Sequence, residues 1–203
     1  MVDFKGDFMS KEIILMGGGG HCRSVIDVIE QQGEYKIIGI IDQNEAKVGS
    51  KVLGYEVIGT DNILEGFSHI PYALVTVGQL DSPAVRIEIK QKLERLGFIL
   101  PVIVSPNAYV SKHASVGAGT VVMHDAVINA AAIVGENCII NTKALIEHDV
   151  VIENDCHIST GAIVNGGVVV KAGTFFGSNA TSKQYEEIKS GSFIKAGTVT
   201  KGK

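Results

Sequence analysis

Residues 144–170 read ALIEHDVVIENDCHISTGAIVNGGVVV. Ile146, Ile152, Ile158, Val164 and Val170 stand six apart, and four residues after each large side chain comes a small or β-branched one: Val150, Cys156, Ala162, Val168. Followed outward, the period holds upstream through Ile140, Val134, Ile128, Val122, Val116 and Val110 to Val104, and downstream to Phe176. A helix repeats every 3.6 residues and a simple strand every two, so neither gives this spacing. A six-residue period predicts a parallel β-helix of hexapeptide repeats, in which each short face turns one large and one small side chain inward and three faces close a coil of about eighteen residues.

Past Phe176 the pattern weakens. Ser182 stands where a hydrophobe belongs and Lys183–Lys189 is polar, which predicts a loop or loosened coil before a last partial coil at Phe193–Val199. The first half follows another rule. Apolar runs at Lys11–Met16, Lys36–Ile41, Tyr72–Val77 and Phe98–Val104 read as strands, with helical patterns at Arg23–Gln32 and Pro83–Leu96. Strands alternating with helices imply a small Rossmann-like parallel sheet with helices on its faces. The expected organisation is an extension over residues 1–10, an α/β domain over 11–103, and a β-helix over 104–203, with Pro101 and Pro106 at the handover.

Eighteen Lys and Arg against 22 Asp and Glu leave a net charge of −4 among 203 residues, which argues against a nucleic-acid surface. Backbone N–H groups can still bind an anion locally. Of the three cysteines, Cys138 and Cys156 fall on small inward positions and read as core fillers, not as a disulfide pair or a metal knuckle. No apolar run is long enough to span a membrane, and the segment MVDFKGDF is too charged for a signal peptide, so a cytoplasmic location is expected.

Two segments carry candidate chemistry. Gly17-Gly18-Gly19-Gly20-His21 lies between a strand and a helix, where backbone N–H groups can hold phosphate oxygens. Cys22 stands at the third glycine position of a dinucleotide fingerprint, so a pyrophosphate-bearing nucleotide fits better than a nicotinamide cofactor; the alternative is a tight turn without a ligand. Asp42 ends the second strand, within reach of a ribose hydroxyl or a base edge. In the repeats, positions eighteen apart stack, which puts His148 against Gly166 and Asn141 against Ser159. Glu147 and Asp149 flank His148, and a carboxylate partner fixes a tautomer and raises basicity, as a general base needs. His157, nine residues on, could donate to a bound carbonyl. A zinc site would need a third converging histidine besides His148 and His157, and none is evident, so no metal is expected. His113 and His124 read as surface residues.

The loop GGGGH, an Asp closing the second strand, and the segments IEHD and HISTGAIVNGG set in hexads resemble the bacterial sugar acyltransferases of the PglD/NeuD type, over about Lys11 to Val199. That resemblance implies a left-handed β-helix, a homotrimer, acetyl-CoA as acyl donor in the groove between neighbouring β-helices, and a nucleotide-linked amino sugar held by the α/β domain. The acceptor type it implies is a UDP-4-amino-4,6-dideoxy sugar acetylated on nitrogen. Position by position it implies His148 as catalytic base with Asp149 as its partner. Gly166 becomes the backbone donor to the thioester oxygen, while His157 and Asn141 face the acetyl group. Gly17, Gly19, Gly20, His21 and Asp42 take the nucleotide sugar. The polar stretch Thr181–Ser190 departs from the family pattern and keeps a non-catalytic trimeric scaffold in view, beside an O-acetyltransferase of sialic-acid-like sugars.

Overall fold

The computed structural model describes residues 11–200, so the expected N-terminal extension lies outside the described residues. The α/β part runs β1 (Lys11–Met16), α1 (Gly20–Gln32), β2 (Tyr35–Ile41), β3 (Lys51–Val52), β4 (Tyr55–Gly59), β5 (Tyr72–Val75) and α2 (Ala84–Arg95). The strands order as β3-β4-β2-β1-β5, all parallel except the β3–β4 hairpin. The helices cover opposite faces of this sheet. Cys22, Val25, Ile26 and Ile29 of α1 pack on Ile13, Leu15 and Ile40, whereas Ile89 and Leu93 of α2 pack on Ile14, Met16, Ile41 and Val75. The sequence pattern missed the hairpin over 51–59 and the 3-10 helix Asp61–Phe67, placed the start of α1 three residues late, and read as one strand the stretch 98–104, of which only Ile103–Val104 is strand.

From Ile103 onward, two-residue strands stack into three parallel sheets, and the chain visits them in rotation as a left-handed β-helix. One sheet, here the docked face, holds Ile103–Val104, Val121–Val122, Ile139–Ile140, His157–Ile158, Phe175–Phe176 and Phe193–Ile194. The second holds Tyr109–Val110, Val127–Ile128, Leu145–Ile146 and Ile163–Val164; the third holds Ser115–Val116, Ile133–Val134, Val151–Ile152, Val169–Val170 and Glu187–Ile188. Partners are eighteen residues apart at every rung, as in Ile139↔His157 and Leu145↔Ile163. The inward residues of the hexads, from Val122 to Ile188, form one continuous core in which Cys138 and Cys156 are free, buried fillers. Corners are tight because one residue per turn is left-handed. From Gly119 to Gly197 every sixth residue has φ between 54° and 72°, including Asp125, Ala131, Lys143, Asp149 and Tyr185.

The segment expected to loosen does not. Thr181 bridges Ile163 below and Val199 above, and Glu187–Ile188 pairs with Val169–Val170, so the coil continues in register. Ser182 is tolerated at a hydrophobic position because its Oγ accepts from the Asn165 N–H at 2.7 Å and its carbonyl accepts from Asn165 Nδ2 at 2.6 Å. A buried hydroxyl with its partners met costs little, and the hydrophobic period cannot register that.

The α/β part sits on the docked face. Ile103, Val121 and Met123 share an apolar cluster with α1 and β1. Arg86 of α2, fully buried, donates to the carbonyls of Val75, Val77 and Asn137 and to Asn137 Oδ1. Lys90 Nζ meets Glu136 at 2.6 Å, and His124 Nε2 lies 2.8 Å from Asp27 Oδ2 of α1, so His124 is an interdomain clasp and not a free surface residue. No helix among the described residues is long and apolar enough to cross a membrane.

Candidate active site

The glycine loop leaves the carboxyl end of β1. Gly17 has φ +108°, and a Cβ there would meet Val77 Cγ2 at 2.4 Å, so only glycine fits. Gly18 N–H donates to Asp42 Oδ2 at 2.8 Å. Gly19 and Gly20 face open space, and α1 begins at Gly20 with no side-chain cap and no acidic residue in its first turn. The first N–H groups of that helix end lack intrahelical partners and are suited to an anion, beside the positive end of the helix dipole. Asp42 spends most of its acceptor capacity inside the chain: Oδ2 takes Gly18 N–H and Lys47 Nζ, and Oδ1 takes Asn44 N–H. Partial burial opposes its charge, yet Lys47 and those two N–H groups hold its carboxyl below the usual range.

The loop runs between two clefts. One, about 200 Å³, is lined by Gly17, Asp42, Gln43 and Asp61 with apolar walls from the sheet and α2. The other, about 730 Å³, opens where the α/β part meets the docked face, between Gly20, His21 and Gly78 on one side and Asn141, His157 and Thr160 on the other. In this larger cleft His157 is buried and neutral. Its Nδ1 lies 2.7 Å from the Gln79 carbonyl, which requires the proton there, and its Nε2 accepts from Asn141 Nδ2 at 3.0 Å. Asn141 Oδ1 accepts from Thr142 N–H, which fixes the amide's orientation. Burial, only partly opposed by the Gln79 carbonyl, pushes the imidazole down to about 4. In this pairing His157 has no proton to give a bound carbonyl. His21 is pushed down to about 3 by burial and then by the charge of Arg86, and its buried Nε2 has no partner among the described residues. Gln79 Oε1 is likewise buried without a partner among the described residues. Sequence reasoning missed Gln79; its only signal was its place at the carboxyl end of a strand, where ligands bind in open α/β sheets.

His148 lies elsewhere on the same prism. It sits in the turn between the second and third sheets, the corner opposite the docked face. Nδ1 is 2.8 Å from Asp149 Oδ2, which leaves the Nε2 lone pair free, while Glu147 turns to Asn129. The ring lies flat against Gly166: a Cβ on that glycine would meet His148 Cε1 and Nε2 at 2.8 Å. One chain therefore brings His148, Asp149 and Gly166 together, separately Gly20, His21, Asn141 and His157, and Gly17 with Asp42 in the smaller cleft, but it does not join the first set to the others. Among the described residues no three His, Cys, Asp or Glu side chains converge as a metal set.

Residues 12–93 match the PglD N-terminal domain. The acetyltransferase domain of PglB from Neisseria gonorrhoeae is 32% identical, with 94% of this chain and 91% of that one covered and a TM-score of 0.85. The chain belongs to the PglD/NeuD-like sugar acetyltransferases. A mutant of perosamine N-acetyltransferase from Caulobacter crescentus, in complex with CoA and GDP-perosamine, is 29% identical over 93% of this chain and 88% of that one, with a TM-score of 0.86. The PglB domain is also known in complex with acetyl coenzyme A, at 31% identity and a TM-score of 0.83. No curated protein sequence matches the chain. Like these PglD/NeuD-like proteins it joins an α/β domain to a β-helix, so the loop and the stacked histidine belong to one architecture.

Proposed function

We propose that the protein transfers the acetyl group of acetyl-CoA to the amino group of a nucleotide-linked amino sugar, at composite sites between neighbouring chains of a homotrimer. The observation that carries this is the glycine loop spanning two clefts, one suited to a base and one to a sugar, with an uncapped helix end between them for the phosphates. The acyl donor fits the solved relatives, which hold CoA or acetyl coenzyme A. The His148 corner and the sugar cleft face different ways on one chain, and a second copy that sets its corner against the first copy's cleft completes the site.

In that composite site Asp149 keeps the His148 proton on Nδ1, so Nε2 is the base. The sugar nitrogen attacks the thioester carbonyl as Nε2 takes its proton, which forms the C–N bond. Gly166 N–H, which makes no hydrogen bond among the described residues, donates to the developing oxyanion, an interaction worth about 3 kcal/mol in a preorganised site. Collapse breaks the C–S bond, and the departing thiolate takes the proton from the imidazolium to leave as CoA. The buried Cys138 and Cys156 take no part. The scaffold alternative loses its motive, since the coil through Thr181–Ser190 is regular. Replacing His148 with Ala is expected to lower turnover by about a hundredfold or more while the assembly stays folded. A fully active His148→Ala protein, followed by release of free thiol from acetyl-CoA, overturns the assignment.

A further inference from the structure

We infer that the smaller cleft selects a guanine base and that Asp61 is the residue that reads it; this deepens the nucleotide-sugar reading and rests on it. The cleft, about 200 Å³, has apolar walls made by Met16, Ile41 and Val77 at the sheet's carboxyl edge and by Val85 and Ile89 of α2. A flat heterocycle fits between such walls. Its polar rim is Asp42, Gln43 and Asp61, and no cationic side chain among the described residues lines it. Gly17 and Asp42 also belong to the glycine loop and its tether. A base seated here therefore sends its phosphates toward Gly19 and Gly20 and its sugar into the larger cleft.

The rim is dominated by acceptors, and the acceptors are not equivalent. Asp42 is engaged by Gly18, Lys47 and Asn44. Asp61 gives one oxygen, Oδ2, to Lys92 Nζ at 3.0 Å, and its Oδ1 makes no hydrogen bond among the described residues. Lys92, on α2, thus steadies the carboxylate without consuming it. An ionised carboxylate only accepts, and it accepts best from two adjacent N–H groups. Guanine alone among the common bases offers that pair, its N1–H and 2-amino group. Uracil sets one N–H between two carbonyl oxygens, so a carboxylate approaching it meets oxygen with oxygen. Cytosine and adenine set an amino group beside a bare ring nitrogen, one bond and one repulsion. The base edge, not the sugar, thereby decides which nucleotide the α/β part admits, and a guanosine nucleotide displaces the expected uridine one.

Calorimetric titration of the full chain with GDP, UDP, CDP and ADP tests this. GDP is expected to bind more tightly than UDP by about tenfold to a hundredfold, the discrimination of one bidentate base contact. Asp61→Asn is expected to bring GDP down to the level of UDP. Lys92→Met, which breaks the ion pair and keeps the carboxylate, is expected to retain the preference. UDP binding as tight as GDP, a GDP preference that survives Asp61→Asn, or its loss in Lys92→Met overturns the role of Asp61 while leaving a nucleotide site in place. Absence of binding by every diphosphate overturns the nucleotide-sugar reading, and this inference with it.

Discussion

His157 is held neutral by two neighbours that fix its tautomer, the Gln79 carbonyl on one nitrogen and the Asn141 amide on the other. Both His157 and His21 titrate near 6.5 when the chain is unfolded and at about 4 and about 3 when it is folded. Between those values the unfolded chain binds more protons, so stability is complete above pH 6.5 and declines as pH falls toward 4. At pH 5 the loss is about 2 kcal/mol per ring at most. The melting midpoint is therefore expected to be several degrees lower at pH 5 than at pH 7, with part of that fall absent in His157→Gln. Equal midpoints at the two pH values would contradict this protonation assignment. Gly166 gives a sharper test of the other half-site. Its missing Cβ is the space the His148 ring occupies, so Gly166→Ala displaces the imidazole. The expected result is a kcat lowered by about tenfold or more with an unchanged KM for the nucleotide sugar, because the change is felt at the reacting group and not at the binding loop. The His148–Gly166 stack was legible in the sequence, since a repeat of known period fixes who lies over whom. The His157–Gln79 bond was not: those residues are 78 apart, and only the docking of two domains joins them.

At the level of the element, the hexad states its hydrophobic period openly and conceals its turn conformation. Every sixth residue is left-handed, yet glycine fills only some of those positions; Ala131 has φ +61° and Lys143 φ +59°. An L side chain there costs about 1–2 kcal/mol. Glycine relieves that strain, while its greater freedom in the unfolded chain takes back about 0.5–1 kcal/mol. Ala131→Gly is accordingly expected to stabilise the protein by up to about 1 kcal/mol, raising the midpoint by about 2–4 °C. Gly161→Ala runs the other way, because φ is +67° and the new Cβ would fall 2.3 Å from Asn179 Oδ1. A loss of about 1 kcal/mol is expected there, with the end of the Asn179 side chain shifting to make room. Thermal unfolding of the two variants side by side checks the sign of both; a stabilised Gly161→Ala protein would show that the corners are not under this constraint. Ser182 shows the complementary limit. The period marks it as a defect, but its hydroxyl is satisfied by Asn165, and a rule written in residue types cannot see a hydrogen bond.

In the whole molecule, the docking of the α/β part on one face of the prism decides which functional groups share a cleft. Arg86 read as one more charge on a helix, yet it is buried, held by burial to about 10 and so still cationic, and bonded to backbone carbonyls of both parts. That placement sets the larger cleft at the docked face and leaves His148 on the far corner. If catalysis needs one chain's corner and another chain's cleft, two differently disabled chains must rescue each other. His148→Ala damages only the corner, and Asn141→Ala damages only the cleft. Each variant alone is expected to be nearly inactive. Co-assembled in equal amounts, a composite site receives an intact corner with probability one half and an intact cleft independently with the same probability, so about a quarter of wild-type activity is expected to return. A site built within one chain gives no rescue, since every chain in the mixture carries one lesion. Mixed assemblies no more active than their parents, with mixing verified by mass, would therefore place base and sugar on a single chain and require the α/β part to swing away from the face it covers.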